Sequence, residues 1–84
     1  MNREDIMATV VAVVVDKLNV SPQEVVLTAH FANDLGADSL DQVELVMELE
    51  RAFDVHIKDD EAAKLQTVGS VVDYLEKTLA QRKT

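Results

Sequence analysis

Ser39 is the residue best placed to do chemistry, and its neighbours limit what that chemistry can be. It stands in the run Asp34-Leu35-Gly36-Ala37-Asp38-Ser39-Leu40-Asp41, which opens into an acidic, strongly apolar stretch. A serine nucleophile needs a base within hydrogen-bond reach. The two histidines are His30 and His56, and no pattern places either beside the serine. His30 reads as a surface or loop-packing residue, and His56 as solvent-facing between packed neighbours Val55 and Ile57. Asp34, Asp38 and Asp41 invite a metal reading, but a calcium loop needs glycine at its sixth position and a bidentate glutamate at its twelfth. Counted from Asp34, those positions hold Ser39 and Leu45. There is no glycine-rich phosphate cradle and no dinucleotide fingerprint. Two readings of Ser39 remain. It fits a capping box with Gln42, although Asp38 is an equal candidate for the cap. Alternatively, the unpaired N–H groups of a helix's first turn suit an anionic ester on the hydroxyl. The two are compatible, because a serine at the head of a helix is accessible to a modifying enzyme.

The elements that would position Ser39 follow from apolar spacing. A first helix is predicted from Arg3 to Leu18, with Ile6, Val10, Val14 and Leu18 four apart. Five valines between Val10 and Val15 favour a strand locally. They do not alternate with period two, so helix is the better reading. Ser21-Pro22-Gln23-Glu24 carries a capping signal and predicts a short turn or helix continuing through Val25, Val26 and Leu27. A long irregular connection then runs to Asp38, with Phe31 and Leu35 as buried anchors and Gly36 at a special backbone angle. The helix from Ser39 to Phe53 has two apolar stripes. Leu45, Val46, Leu49 and Phe53 suit a core face. Leu40, Val43 and Met47 form a second row among Asp41, Glu44, Glu48 and Glu50, and at Leu40 and Met47 we expect exposure, the pattern of a docking surface; Val43 suits a wide core contact equally well. A short acidic helix from Asp59 to Leu65 follows. Thr67 is the expected cap of a last helix burying Val68, Val71, Val72, Leu75 and Leu79, with Tyr74 beside them, and residues 81–84 read as a frayed tail.

Composition narrows the function classes. There is no cysteine, which removes disulfides and thiolate catalysis, so any thioester chemistry needs a thiol from a cofactor. The formal charge is −8. Ten acids against Arg51 and Lys58 lie between Asp34 and Glu61, and the rest of the chain has six acids and six bases. A nucleic-acid binder would show the opposite sign, whereas acid gathered in one segment steers toward basic partner surfaces. The run Val10–Val15 is too short to span a bilayer, and the start of the chain has no signal-peptide pattern. A cytoplasmic monomer without membrane insertion is the expectation.

From Phe31 to Met47 the sequence, Phe31-Ala32-Asn33-Asp34-Leu35-Gly36-Ala37-Asp38-Ser39-Leu40-Asp41-Gln42-Val43-Glu44-Leu45-Val46-Met47, resembles bacterial-type acyl carrier proteins of fatty-acid synthesis. The likeness covers nearly the whole chain, including Asp59-Asp60-Glu61-Ala62-Ala63-Lys64-Leu65-Gln66-Thr67-Val68. It implies an all-α fold, a right-handed four-helix bundle of three longer helices and one short third helix. It implies a single carrier domain over residues 1–84, with an attachment loop at 31–38 and a recognition helix at 39–53. It also implies a non-catalytic carrier whose Ser39 bears 4′-phosphopantetheine, donated by coenzyme A through a separate phosphopantetheinyl transferase, with acyl cargo held as thioesters. Asp38 would serve transferase recognition and positioning. Leu40, Asp41, Val43, Glu44, Met47, Glu48, Asp59, Asp60 and Glu61 would form the face offered to fatty-acid synthesis enzymes and acyltransferases with basic docking patches. No resident metal is implied.

Three positions depart from the commonest family pattern. Lys58 stands where a proline often opens the short third helix, and predicts a looser junction. His56 replaces a residue more often acidic, and its unperturbed pKa near 6.5 would make that neighbourhood pH-sensitive. Arg51 interrupts what is often a glutamate run. Alternatives are a carrier for a polyketide, peptide, D-alanyl or specialised lipid pathway, or a structural or regulatory interaction domain that keeps the fold and has no need of the Ser39 hydroxyl.

Overall fold

The three-and-four spacing of apolar residues is realised as four helices in a computed structural model that describes residues 2–81. The first helix, α1, spans Arg3–Leu18. Asn2 caps it, its side chain accepting from the Asp5 amide at 2.9 Å, and Glu4, Asp5 and Lys17 sit at the ends that suit their charges. Asn19 ends it in the left-handed conformation, with its N–H on the Val15 carbonyl. The valine run is helical because tertiary burial outweighs local strand preference: Val10 and Val14 are fully buried beside Ile6, and Val11, Val13 and Val15 are partly so.

Ser21 opens a single 3-10 turn, Pro22–Glu24, and the Glu24 carboxylate accepts from the Ser21 amide at 2.9 Å. The expected extension through Leu27 does not form. Leu27 and Ala29 instead present their carbonyls to the last helix, where Gly69 N–H donates to Leu27 at 2.8 Å and Val68 N–H to Ala29 at 3.0 Å. The amides of the segment itself make short-range turns, Val26 to the Glu24 carbonyl and Ala29 to the Val26 carbonyl, instead of a continued helical ladder. Val25 and Ala29 are buried and Val26 and Leu27 are exposed.

The second helix, α2, spans Ser39–Phe53 and ends at Asp54 in the left-handed conformation. A third helix, α3, is the single turn Asp59–Ala62, followed by tighter bonds from Lys64 to Glu61 and from Leu65 to Ala62. It is shorter than the predicted Asp59–Leu65. Lys58 precedes it at φ −67°, the angle a proline would impose. The fourth helix, α4, spans Val68–Gln81. Thr67 caps it as expected, accepting from the Ser70 amide at 3.1 Å while the Thr67 amide donates to the Ser70 hydroxyl at 3.1 Å. Gln81 is its last residue, and the rest of the predicted tail lies outside the described residues.

The helix α1 packs against α2, α4 and the 3-10 turn. The core is Ile6, Val10 and Val14 from α1, Leu45, Leu49 and Phe53 from α2, Val68, Val71, Val72 and Leu75 from α4, and Val25, Ala29, Phe31, Leu35, Ala37 and Ile57 from the connections. Among the described residues no polar or charged residue is buried. No helix of those described is long and apolar enough to cross a membrane.

Candidate functional site

The connection that delivers the chain to Ser39 is fixed by backbone bonds. The Phe31 N–H donates to the Gln66 carbonyl at 3.0 Å, and His30 pairs with Thr67 as an isolated antiparallel bridge. The Ala37 N–H returns to the Phe31 carbonyl at 2.8 Å, closing the loop on itself. Phe31, Leu35 and Ala37 are buried beneath it, so both predicted anchors hold. Gly36 lies at φ +75° with open space where a Cβ would go, the angle expected of it.

The cap of α2 falls one residue earlier than the Ser39–Gln42 alternative. Asp38 is the N-cap: its Oδ1 accepts from the Asp41 amide at 2.8 Å, and Asp41 Oδ2 accepts from the Asp38 amide at 3.2 Å. A carboxylate is the stronger acceptor for a helix's unpaired amides, and it also complements the dipole. Ser39 therefore occupies the first helical position, exposed, with its hydroxyl not consumed by capping. The first turn has other unpaired amides in its vicinity, where an anionic ester on that hydroxyl is electrostatically favoured.

Beside Ser39 lies a cavity of about 420 Å³ between α2 and α3, within the range that holds a small ligand. Its walls include Phe31, Val46, Leu49, Ile57, Ala62 and Leu65. Apart from Phe31, these lining side chains are aliphatic. Polar groups stand at its edge: Gln42, Glu50, His56 and Asp59. Glu50 was expected on the acidic surface but turns inward, its Oε2 accepting from the Ile57 amide at 2.7 Å. That bond holds the segment between α2 and α3, and His56 Nδ1 stands 3.5 Å from the same oxygen on a largely exposed ring.

The second apolar stripe of α2 is exposed, with Leu40 at 65%, Val43 at 57% and Met47 at 52%. Val43 thus belongs to the surface row. Glu44, Asp59 and Asp60 are exposed and Asp41 half-buried. Glu48 is already engaged, 2.9 Å from Arg51 Nη1 and 3.9 Å from Lys17 Nζ. Glu61 lines a small polar cleft with Tyr74 and Lys77 of α4. His30 and Glu50 were missed as organising residues. Glu50 reaches the Ile57 amide seven residues on, and the His30 ring joins the nearby Ala32 and Asn33 amides to the distant Gln66 side chain, contacts that no motif in the sequence marks.

The helical frame thus presents an exposed serine at the head of α2 beside a largely apolar cavity. The match to the family described as phosphopantetheine attachment site covers residues 8–75. The chain is 58% identical over 78 residues to an acyl carrier protein of Amoebophilus asiaticus, covering 93% of this chain and 98% of the relative. It is 56% identical over 70 residues to one from Porphyromonas gingivalis, covering 83% and 90%. It is 51% identical over 80 residues to one from Thermosynechococcus vestitus, covering 95% and 99%. The chain belongs to the acyl carrier protein family, whose members carry covalently bound 4′-phosphopantetheine and do no bond-making chemistry of their own.

Proposed function

We propose that this chain is a carrier of acyl intermediates in fatty-acid biosynthesis, with Ser39 as the attachment residue and residues 1–84 acting as one carrier domain. The observation that carries this is the Asp38 cap, which leaves the Ser39 hydroxyl exposed at the head of α2 beside an apolar cavity. When bound, 4′-phosphopantetheine supplies the terminal thiol that a chain without cysteine lacks. The chain's own residues do the rest. The amide-rich first turn of α2 accommodates the phosphodiester, and Asp38 sets the position of Ser39 for the transferase. Phe31, Val46, Leu49, Ile57 and Leu65 offer the apolar part of a cargo a dry surface, where each methylene removed from water is worth roughly 0.8 kcal/mol before the cost of parting the helices.

Partner enzymes dock on Leu40, Val43 and Met47, ringed by Asp41, Glu44, Glu48, Asp59, Asp60 and Glu61. An apolar row within a rim of like charge suits basic surfaces that must associate quickly and release quickly. Met47 adapts to more than one of them. The same acidity disfavours nucleic acid, and a cytoplasmic monomer is the state that fits the acid-ringed surface.

The test is intact mass after incubation of the unmodified chain with coenzyme A, magnesium and a broad-specificity phosphopantetheinyl transferase. The parent should gain one phosphopantetheine and Ser39→Ala none. An unmodified parent that is folded, or equal gain on the alanine form, overturns the assignment.

A further inference from the structure

The His30 ring has hydrogen-bond partners at both nitrogens, and none of these contacts caps a helix of the bundle. Its Nδ1 accepts from two backbone amides, Ala32 and Asn33, each at 3.2 Å. Its own amide donates to Asp34 Oδ2 at 2.7 Å, and its carbonyl accepts from the Asp34 and Leu35 amides at 2.8 and 3.1 Å. On the far side of the ring, Nε2 lies 3.3 Å from Gln66 Oε1. Two N–H groups pointing at Nδ1 require a lone pair there, which places the ring proton on Nε2, facing an amide oxygen. The Gln66 amide is itself oriented, since its Nε2 donates to the Ala63 carbonyl at 3.4 Å. The neutral ring with its proton on Nε2 satisfies every one of these contacts.

We propose that His30 is a positioning residue for Ser39. Through Nδ1 it shapes the turn at residues 31–35, and through Nε2 it ties that turn to the connection between α3 and α4. The loop closed by Ala37 on Phe31 then delivers Asp38 and Ser39 at one height over the bundle. The inference rests on Ser39 being the attachment residue. Ser39 is the first residue of α2. A loose loop would let that first turn fray and carry the hydroxyl from the reacting geometry while the docking row further along the helix, Val43 and Met47, stayed in place, so the loss falls on turnover.

The experiment is transferase kinetics on the full chain with coenzyme A, comparing the parent with His30→Ala and His30→Asn. Asparagine carries Oδ1 on Cγ, as histidine carries Nδ1, so it restores the acceptor to Ala32 and Asn33 without reaching Gln66. The alanine form should lose about tenfold in kcat, the effect of one or two net hydrogen bonds, with KM for the carrier little changed. The asparagine form should recover most of it. A purely structural role would lower the folded fraction, raising apparent KM and leaving kcat alone. Wild-type kcat in the alanine form, or an asparagine form as impaired as alanine while folded, overturns the proposal. An imidazole nitrogen spectrum of the parent at mildly alkaline pH checks the hydrogen-bond geometry independently of how the variants fold: Nδ1 should be the unprotonated nitrogen, and a proton found there overturns the proposal. Modification of the parent at Ser39 in the same assay keeps failure of this proposal distinct from failure of the carrier assignment.

Discussion

The two flanks of Ser39 are built differently. On the side before it, residues 27–37 are bonded by backbone groups to the start of α4 and to one another, through Leu27, Ala29, Phe31 and Ala37. On the side after α2, residues 54–58 hang from the end of α2, where the Val55 N–H meets the Glu50 carbonyl at 3.1 Å and the Ile57 N–H meets the Glu50 carboxylate. The cavity lies on this second side. One flank is fastened by main-chain bonds to a distant element, whereas the bonds of the other run back to Glu50 of α2, to its carbonyl and its carboxylate. A carrier needs both: a serine at a fixed place for the enzymes that modify and meet it, and a wall that parts for cargo. The separation of the two duties is the lesson of this small fold.

The largest effect that would break this comparison is at Gly69. A Cβ there would stand 2.9 Å from the Leu27 carbonyl oxygen, a backbone atom that is itself accepting the Gly69 amide. Helix propensity alone predicts that Gly69→Ala stabilises the protein by roughly 1 kcal/mol. Overpacking predicts the opposite, a loss of about 1–3 kcal/mol as the loop is pushed from α4. We expect the loss to win, measured by urea unfolding, with weakened exchange protection at Gly69 and Val68. A more stable alanine variant would show that the fastened flank has slack.

A middle-sized effect sharpens the contrast. Glu50→Ala removes the acceptor of the half-buried Ile57 amide and should cost about 1–2 kcal/mol. Its mark in hydrogen exchange should be local: faster exchange at Ile57, unchanged exchange at Ala32 and Asn33. Glu50→Gln keeps a carbonyl acceptor and should fall between the two. Loosening that spread to the loop before Ser39 would mean the flanks open as one unit.

How much of this was legible in the sequence follows the range of the interactions. The bounds of α1 and α2 were readable because periodic apolar residues and local caps agree, at Arg3–Leu18 and Ser39–Phe53. The exposure of Leu40 and Met47 was readable from a surplus stripe, whereas that of Val43 was not, since its spacing suits a wide core contact equally well. The choice between Asp38 and Ser39 as cap was not, because Asp41 and Gln42 each complete a capping box one residue apart. The path of residues 27–29 was not either, since their carbonyls bond to Gly69 and Val68, far along the chain. His30 and Glu50 escaped because neither motif nor apolar spacing marks their bonds: the His30 ring takes the amides of Ala32 and Asn33 and meets the Gln66 side chain, and Glu50 reaches the Ile57 amide across the end of α2.

The smallest expected effect lies away from both flanks and serves as their control. Arg3 Nη1 stands 2.8 Å from Asp73 and 3.0 Å from Glu76, joining α1 to α4 at the surface. The hydrogen bond to Asp73 is the chief reason its guanidinium holds its proton more tightly than usual, opposed by partial desolvation and helped by Glu76. A raised value in the folded state means this contribution is present below the ordinary arginine range and fades only as pH climbs through it, far above any working pH. Acidity or alkalinity near neutrality therefore leaves the guanidinium charged. Salt and substitution are the usable probes. Exposed pairs are screened by ions and held at an entropic cost, so Arg3→Ala should lower the urea midpoint slightly at low salt and leave it unchanged in molar salt. Transferase kinetics of the variant should match those of the parent at each salt concentration. A salt-independent drop, or a change in modification of Ser39, would place Arg3 within the frame that positions the serine, and the division into a fastened and a yielding flank would have to be redrawn to include the α1–α4 seam.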